Sequence, residues 1–200
     1  MLFNKRVLDR IHEQFDRSVG TVRDARDRAL LLIGFAGAFR RSELSAVDCK
    51  WIERTAGGLV ITIPKSKTDQ EGQARQVAIP RGRNAICPIK ALEQWLERSG
   101  ITEGPVFRPV TRRGQVLPGQ LSGDSCASIV KQRVRAIGLD PTRYSGHSLR
   151  AGFVTSAATA GAPAWRIKAQ TGHVSDALVG RYIRLSDPFA ANAVPSMAVL

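Results

Sequence analysis

The chain has 200 residues and carries 30 Lys and Arg against 17 Asp and Glu, a formal net charge of +13. Its hydrophobic share of 43% suffices for a core of its own, and three widely spaced cysteines (Cys49, Cys87, Cys126) with no CxxC pair argue against a disulfide framework or a structural zinc site and suit a reducing cytoplasm. No apolar run reaches the roughly 20 residues of a membrane span, the first residues lack the apolar stretch of a secretory signal, and the positive charge, dispersed along the chain unlike that of a basic disordered tail, favours a folded surface that meets a polyanion.

In chain order, Phe3, Val7, Leu8, Ile11 and Phe15 recur at helical spacing over Leu2 to Arg17. Ser18 to Thr21 breaks that pattern, and Thr21 or Asp24 can cap a second helix reaching about Gly37, which takes in most of the apolar block Ala29 to Phe39. A short helix is expected from near Arg41. Gly57-Gly58 introduces the β-branched run Leu59 to Ile63, ended by Pro64. A polar segment, Lys65 to Ala74, leads to Arg75 to Ile79, ended by Pro80, so the pair predicts a hairpin with a long exposed tip. Cys49 to Glu53 is a candidate third strand. Cys87-Pro88 opens a helix through Arg98 that Ser99-Gly100 stops, Gly104 to Leu121 predicts a loop, and Ser125 to Ala136 a helix with Ile129, Val130, Val134 and Ile137 on one face. Beyond His147 two helices should end near Gly161 and Gly172, with Pro163 in the first turn of the second, and a last short helix carries Tyr182. The expected class is α+β, mainly helical with one small three-stranded antiparallel sheet. The expected organisation is a helix or linker over 1–20, the main domain over 21–186 and a tail over 187–200.

Three segments carry candidate chemistry. In His147-Ser148-Leu149-Arg150 the histidine and arginine stand three apart, on one face of the first turn of a helix that starts near Ser145-Gly146. A helix start presents N–H groups and partial positive charge to an anion, and an arginine fork and an imidazole add to it. In Phe39-Arg40-Arg41-Ser42-Glu43-Leu44 an arginine pair follows a buried helix, where Glu43 either orients one arginine or merely neutralises it. Gly172-His173 is followed nine residues later by Tyr182, flanked by Arg181 and Arg184, an unusual setting for a packing aromatic. Singly, each segment has a bland account as a solvated pair, a cap or a packing residue.

In this order, Arg40-x-Ser-Glu-Leu, His147-x-x-Arg150, Gly172-His173 and Tyr182 resemble the tyrosine recombinases, the phage-type integrases, over about Arg23 to Arg184. Thr142 to Gly161 also resembles the family's second motif region. The resemblance implies the catalytic-domain fold of DNA breaking-rejoining enzymes and a site of Arg40, Lys67, His147, Arg150, His173 and the nucleophile Tyr182, supported by Glu43. Lys67 matches the family's hairpin lysine best, with Lys65 as competitor. Tyr144, three residues before His147, is the rival nucleophile.

The chemistry suits these groups. Attack on a phosphodiester builds negative charge on its non-bridging oxygens, which fixed arginines stabilise. A tyrosine hydroxyl, with a pKa of about 10, needs a base such as His147, and Lys67 can protonate the departing 5′-oxygen. The resemblance further implies a 3′-phosphotyrosine link that conserves the phosphoester without ATP or metal, so no cofactor is expected, in line with the absence of a GxxxxGK[ST] loop. Double-stranded DNA is the implied partner of a site-specific recombinase of mobile elements, monomeric in solution and tetrameric on recombining DNA. The 187–200 tail is implied to dock on a neighbouring protomer, against the plainer expectation of a disordered terminus. Two departures stand out: Ala151 follows Arg150 where many relatives have a second histidine, and little precedes Arg23 where the family carries a separate DNA-binding domain. A catalytic fragment or short form, binding DNA weakly and losing it steeply with salt, is therefore expected. Competing readings are a DNA-binding regulator without cleavage, a type IB topoisomerase-like enzyme, and a metal-dependent phosphatase or nuclease, the last lacking acidic ligands.

Overall fold

The computed structural model describes residues 3–17, 20–64, 74–82 and 86–172. Its helices are α1 (Lys5–Arg17), α2 (Val22–Ala36), α3 (Arg41–Ser45), α4 (Pro88–Ser99), α5 (Gly123–Ala136), α6 (Ser148–Thr159) and α7 (Ala164–Thr171), and its strands are β1 (Ile52–Thr55), β2 (Gly58–Ile63) and β3 (Arg75–Pro80). The expected α+β class, mainly helical with a three-stranded antiparallel sheet in the order β1-β2-β3, is what forms.

Helix α2 is the axis. Thr21 caps it reciprocally: its hydroxyl accepts from Asp24 N at 3.1 Å, and Asp24 Oδ2 accepts from Thr21 N at 3.0 Å. The run Ala29 to Ile33 is buried on every side, because α1, α3, α4, α5 and α6 all touch this helix. Helix α1 adds Val7, Leu8, Ile11 and Phe15 to the same core, and Phe3, just before it, joins them, so the first residues described pack as part of this body. An ion network ties α2 to α5: Arg133 Nη2 lies 2.6 Å from Asp27 and 2.7 Å from Asp24, and Arg26 lies 2.7 Å from Asp27. Asp27 is fully buried, and its carboxylate is held by Arg26 of the same helix and by Arg133 of α5, so removing either partner would leave a buried charge under-compensated.

In the sheet, Ile61 sits opposite Ile52 and Val77, and Leu59, Ile61, Val77 and Ile79 turn one face into the core. The third strand begins at Ile52, later than the Cys49 start expected, because Asp48 accepts from Lys50 N at 3.1 Å and winds Cys49–Trp51 into a 3-10 turn. Helix α5 starts early because Ser122, accepting from Ser125 N at 3.0 Å, is its cap. Pro163 stands at the cap of α7, one position before its first turn. Most of the hairpin tip, residues 65–73, and the expected helix around Tyr182 lie outside the described residues.

Candidate active site

The site's architecture starts from Gly34 on α2. A Cβ there would stand 2.7 Å from both Leu149 Cδ1 and Leu44 Cδ2, so the missing side chain lets α3 and α6 close onto one spot of α2. Leu44 stands four residues after Arg40, and Leu149 directly precedes Arg150. Beyond α2 the chain turns sharply, with Gly37 N donating to Ile33 O at 2.8 Å and Ala38 in the left-handed region at φ 49°.

Arg150, in the first turn of α6, is buried at 6% exposure. Its Nη1 donates to the carbonyls of Ala38 at 2.8 Å and Thr171 at 2.7 Å, which ties the Arg40 turn to the end of α7. Arg40 caps α3 and remains exposed. Its backbone N donates to Glu43 Oε2 at 2.8 Å and its Nη1 to Glu43 Oε1 at 2.6 Å. The adjacent Arg41 leaves in another direction, packing on Gly146 and donating to Asp124 Oδ1 at 2.9 Å. The two arginines are thus separated by partner: Arg40 is held within its own motif, Arg41 by α5.

His147 is exposed at the start of α6, and its backbone N donates to Ser145 Oγ at 3.3 Å. Ser148 N in turn donates to Ser145 O at 3.0 Å, and Ser148 Oγ accepts from Ser145 N at 2.8 Å, so paired serines brace this helix entry. No acidic residue lies in the first turn of α6, which keeps the positive end of its dipole uncompensated locally.

Sequence reasoning missed Arg75 and Gln170. Arg75 Nη2 lies 3.0 Å from Glu43 Oε2 and its Nη1 donates to Gln170 O at 2.6 Å. Gln170 Nε2 donates to Ala36 O at 2.8 Å and Ala78 O at 3.1 Å, fastening α7 to α2 and β3. The sequence did hold a signal. Arg75 is in phase with Val77 and Ile79, the buried face of β3, so a charged residue there needs partners. Burial holds its guanidinium below the ordinary arginine range, Arg40 acts in the same direction, and Glu43 opposes them. Arg40 and Arg75 therefore share one carboxylate, while Arg75 and Arg150 bond consecutive carbonyls at the end of α7. Such a cationic corner can receive an anion.

Of the expected residues, the structure gathers the segments of Arg40, Glu43, His147 and Arg150. Lys67 and its competitor Lys65, His173 and Tyr182 lie outside the described residues. Tyr144 is a core aromatic: it is 2% exposed, stands edge-on to Phe3 with centroids 6.2 Å apart, and its hydroxyl has no hydrogen-bond partner among the described residues. Burial pushes that hydroxyl above its ordinary pKa, the opposite of activation.

Comparison with known proteins bears on the family and the fold. The chain is 46% identical over 173 residues to an integrase/recombinase XerD homologue of Selenomonas ruminantium, covering 86% of this chain and 51% of that protein. It is 27% identical over 201 residues to the Cre recombinase of Escherichia phage P1, covering 94% and 57%. Among solved structures, the XerH site-specific recombinase bound to palindromic difH substrate superposes with a TM-score of 0.66 at 20% identity, covering 98% of this chain and 52% of that one. The chain spans about half the length of the curated relatives it matches. Its fold is that of tyrosine recombinase catalytic domains. The profile of the Phage integrase family matches residues 3–188, and the chain belongs to that family.

Proposed function

We propose that this chain is the catalytic domain of a site-specific DNA recombinase that cuts and rejoins strands through Tyr182. The observation that carries the reading is the convergence of Arg40 and Arg150, from motifs 110 residues apart in sequence, through the Ala38 turn. Similarity to recombinases over most of the chain supports the same reaction class.

In this reading the Tyr182 hydroxyl attacks a phosphodiester phosphorus while the bond to the 5′-oxygen breaks. His147 takes the tyrosine proton, and Lys67 delivers one to the departing oxygen, leaving a 3′-phosphotyrosine and a free 5′-hydroxyl. Arg40, Arg150 and His173 hold the non-bridging oxygens, whose charge grows in the transition state. A 5′-hydroxyl from another strand reverses the step, so the phosphoester is conserved and no ATP or metal takes part. Double-stranded DNA is the partner of a protein that is a monomer in solution and a homo-tetramer on recombining DNA. The dispersed charge predicts DNA affinity that falls steeply with salt.

The test is a pool of DNA duplexes with a randomised core and a nick beside it, so that the short 5′-hydroxyl fragment diffuses away after cleavage. A protein–DNA species that survives a denaturing gel supports the reading. DNA binding with no covalent species would favour a regulator that uses the fold without cleaving.

A further inference from the structure

We propose that Arg75 is a positioning residue for the reaction proposed above, holding the Arg40 corner in fixed relation to the end of α7. The inference rests on that functional reading for its effect on rate, and on the geometry alone for its effect on structure.

One guanidinium makes both contacts, to Glu43 Oε2 at 3.0 Å and to Gln170 O at 2.6 Å. Glu43 is engaged on both oxygens by Arg40, through the backbone N and Nη1. Arg75 therefore divides the charge of a carboxylate that would otherwise act on Arg40 alone. Without it, Glu43 would draw Arg40 more tightly into the protein and away from an incoming phosphate.

The second contact fixes the other side. The last carbonyls of a helix lack intrahelical donors, and a cation placed there also meets the negative end of the dipole. Arg75 and Arg150 fill that role for α7 at consecutive residues, Gln170 and Thr171. Gly172 then ends the helix at φ 65°, its N donating to Lys168 O at 2.7 Å, and the chain continues directly into His173. Gly172 serves the arginine as well, since a Cβ there would stand 2.6 Å from Arg75 Cδ and 2.8 Å from its Nε. The side chain thus passes over a residue that offers it no side-chain obstacle.

Lysine cannot replace this device. A single ammonium lacks the planar fork that reaches two acceptors in fixed directions. The side chain is 19% exposed, so either half of the contact, once lost, leaves a poorly solvated partner.

The experiment compares the full chain with Arg75→Lys and Arg75→Ala on the nicked duplex recovered from the pool, measuring single-turnover adduct formation and the DNA concentration that half-saturates it. Misplacement of catalytic groups by about 1 Å predicts a rate loss of about 100-fold in Arg75→Ala and at least about 10-fold in Arg75→Lys, with half-saturation changed less than about 3-fold. Added guanidinium ion should restore part of the Arg75→Ala rate, which loss of folded protein would not allow. Rates within about 3-fold of the parent, or a loss confined to half-saturation, would overturn the proposal, the second outcome making Arg75 a DNA contact instead. Hydrogen exchange gives a readout independent of cleavage. In Arg75→Lys the amides of α3 and the end of α7 should exchange about 10-fold faster while those of α4 stay unchanged. If the parent forms no adduct, the functional reading fails and exchange alone decides the positioning claim. Unchanged exchange at both segments then overturns it.

Discussion

Arg150 reaches across 112 residues of sequence to hold the carbonyl of Ala38 at 2.8 Å, and Ala38 is the one described non-glycine residue at positive φ, 49°. The two facts belong together. The left-handed turn aims this carbonyl at the guanidinium and sends the chain on through Phe39 to Arg40. An alanine in that region costs about 1 kcal/mol, which the Arg150 bond and the burial of Ala38 offset. Ala38→Gly is therefore expected to leave stability within about 1 kcal/mol of the parent, because relief of the left-handed cost opposes the greater freedom of the unfolded chain. Ala38→Val should lose about 2 kcal/mol or more, since a β-branched residue fits neither that φ nor the filled space around it. Urea unfolding of both variants checks this, and equal stabilities would contradict it.

Arg150 also has a structural duty separable from the catalytic role proposed for it. Its removal leaves the Ala38 and Thr171 carbonyls without the donor they now share, and Arg150→Ala should lower unfolding stability by about 2–4 kcal/mol. Arg150→Lys should recover less than half of that, because one ammonium cannot reproduce the fork. Denaturant midpoints at constant slope measure both. A stable Arg150→Ala protein would mean that the turn and α7 are held by other contacts.

Gly34 is the spacing element beneath the site. Gly34→Ala places a methyl against Leu44 and Leu149, so α3 and α6 must move apart or rotate. The expected cost is about 1–3 kcal/mol, as for overpacking elsewhere. Adduct formation should fall further than stability accounts for, because the displaced helices carry Arg40 and Arg150. A variant that unfolds earlier yet cleaves at the parental rate under folding conditions would show that their spacing does not matter.

Asp24 gives a pH signature. Burial alone would raise its carboxyl, but the Thr21 hydroxyl and amide, together with Arg133, outweigh burial and hold it below its ordinary value. A group whose pKa is lower folded than unfolded contributes stability that is present above the unfolded value, about 3.9, and lost as pH falls through the folded value. Asp24→Asn should be less stable than the parent at neutral pH and lose less on acidification between about pH 5 and pH 2. Parallel stability curves for the two proteins would contradict this.

Much of the fold was legible because local signals agree with tertiary demand. Thr21 with Asp24, Pro88 with Gly100, and the alternation of Arg75 to Ile79 each mark an element that forms as expected. The start of β1 was not legible, since Asp48 could equally precede a strand or wind the 3-10 turn it makes. At the site, only the resemblance to the family's Arg-x-Ser-Glu-Leu spacing selected Arg40 over Arg41; the structure shows that the two have different partners, Glu43 and Asp124. Arg75 was passed over because a charged residue at the edge of a polar loop has an obvious solvated account. Only its phase with Val77 and Ile79 hinted at burial, and nothing local named Glu43 or Gln170 as partners. Long-range pairs of that kind are set by the packing of α3, α7 and β3 together.

The most direct measurement is the site of covalent attachment. The adduct formed on the nicked duplex, digested with nuclease and trypsin and read by mass spectrometry, should carry its nucleotide on the peptide that contains Tyr182. Tyr182→Phe should abolish the adduct, while Tyr144→Phe, which removes a buried hydroxyl that has no partner among the described residues, should keep it. A nucleotide on Tyr144, or an adduct that survives Tyr182→Phe, would contradict the account.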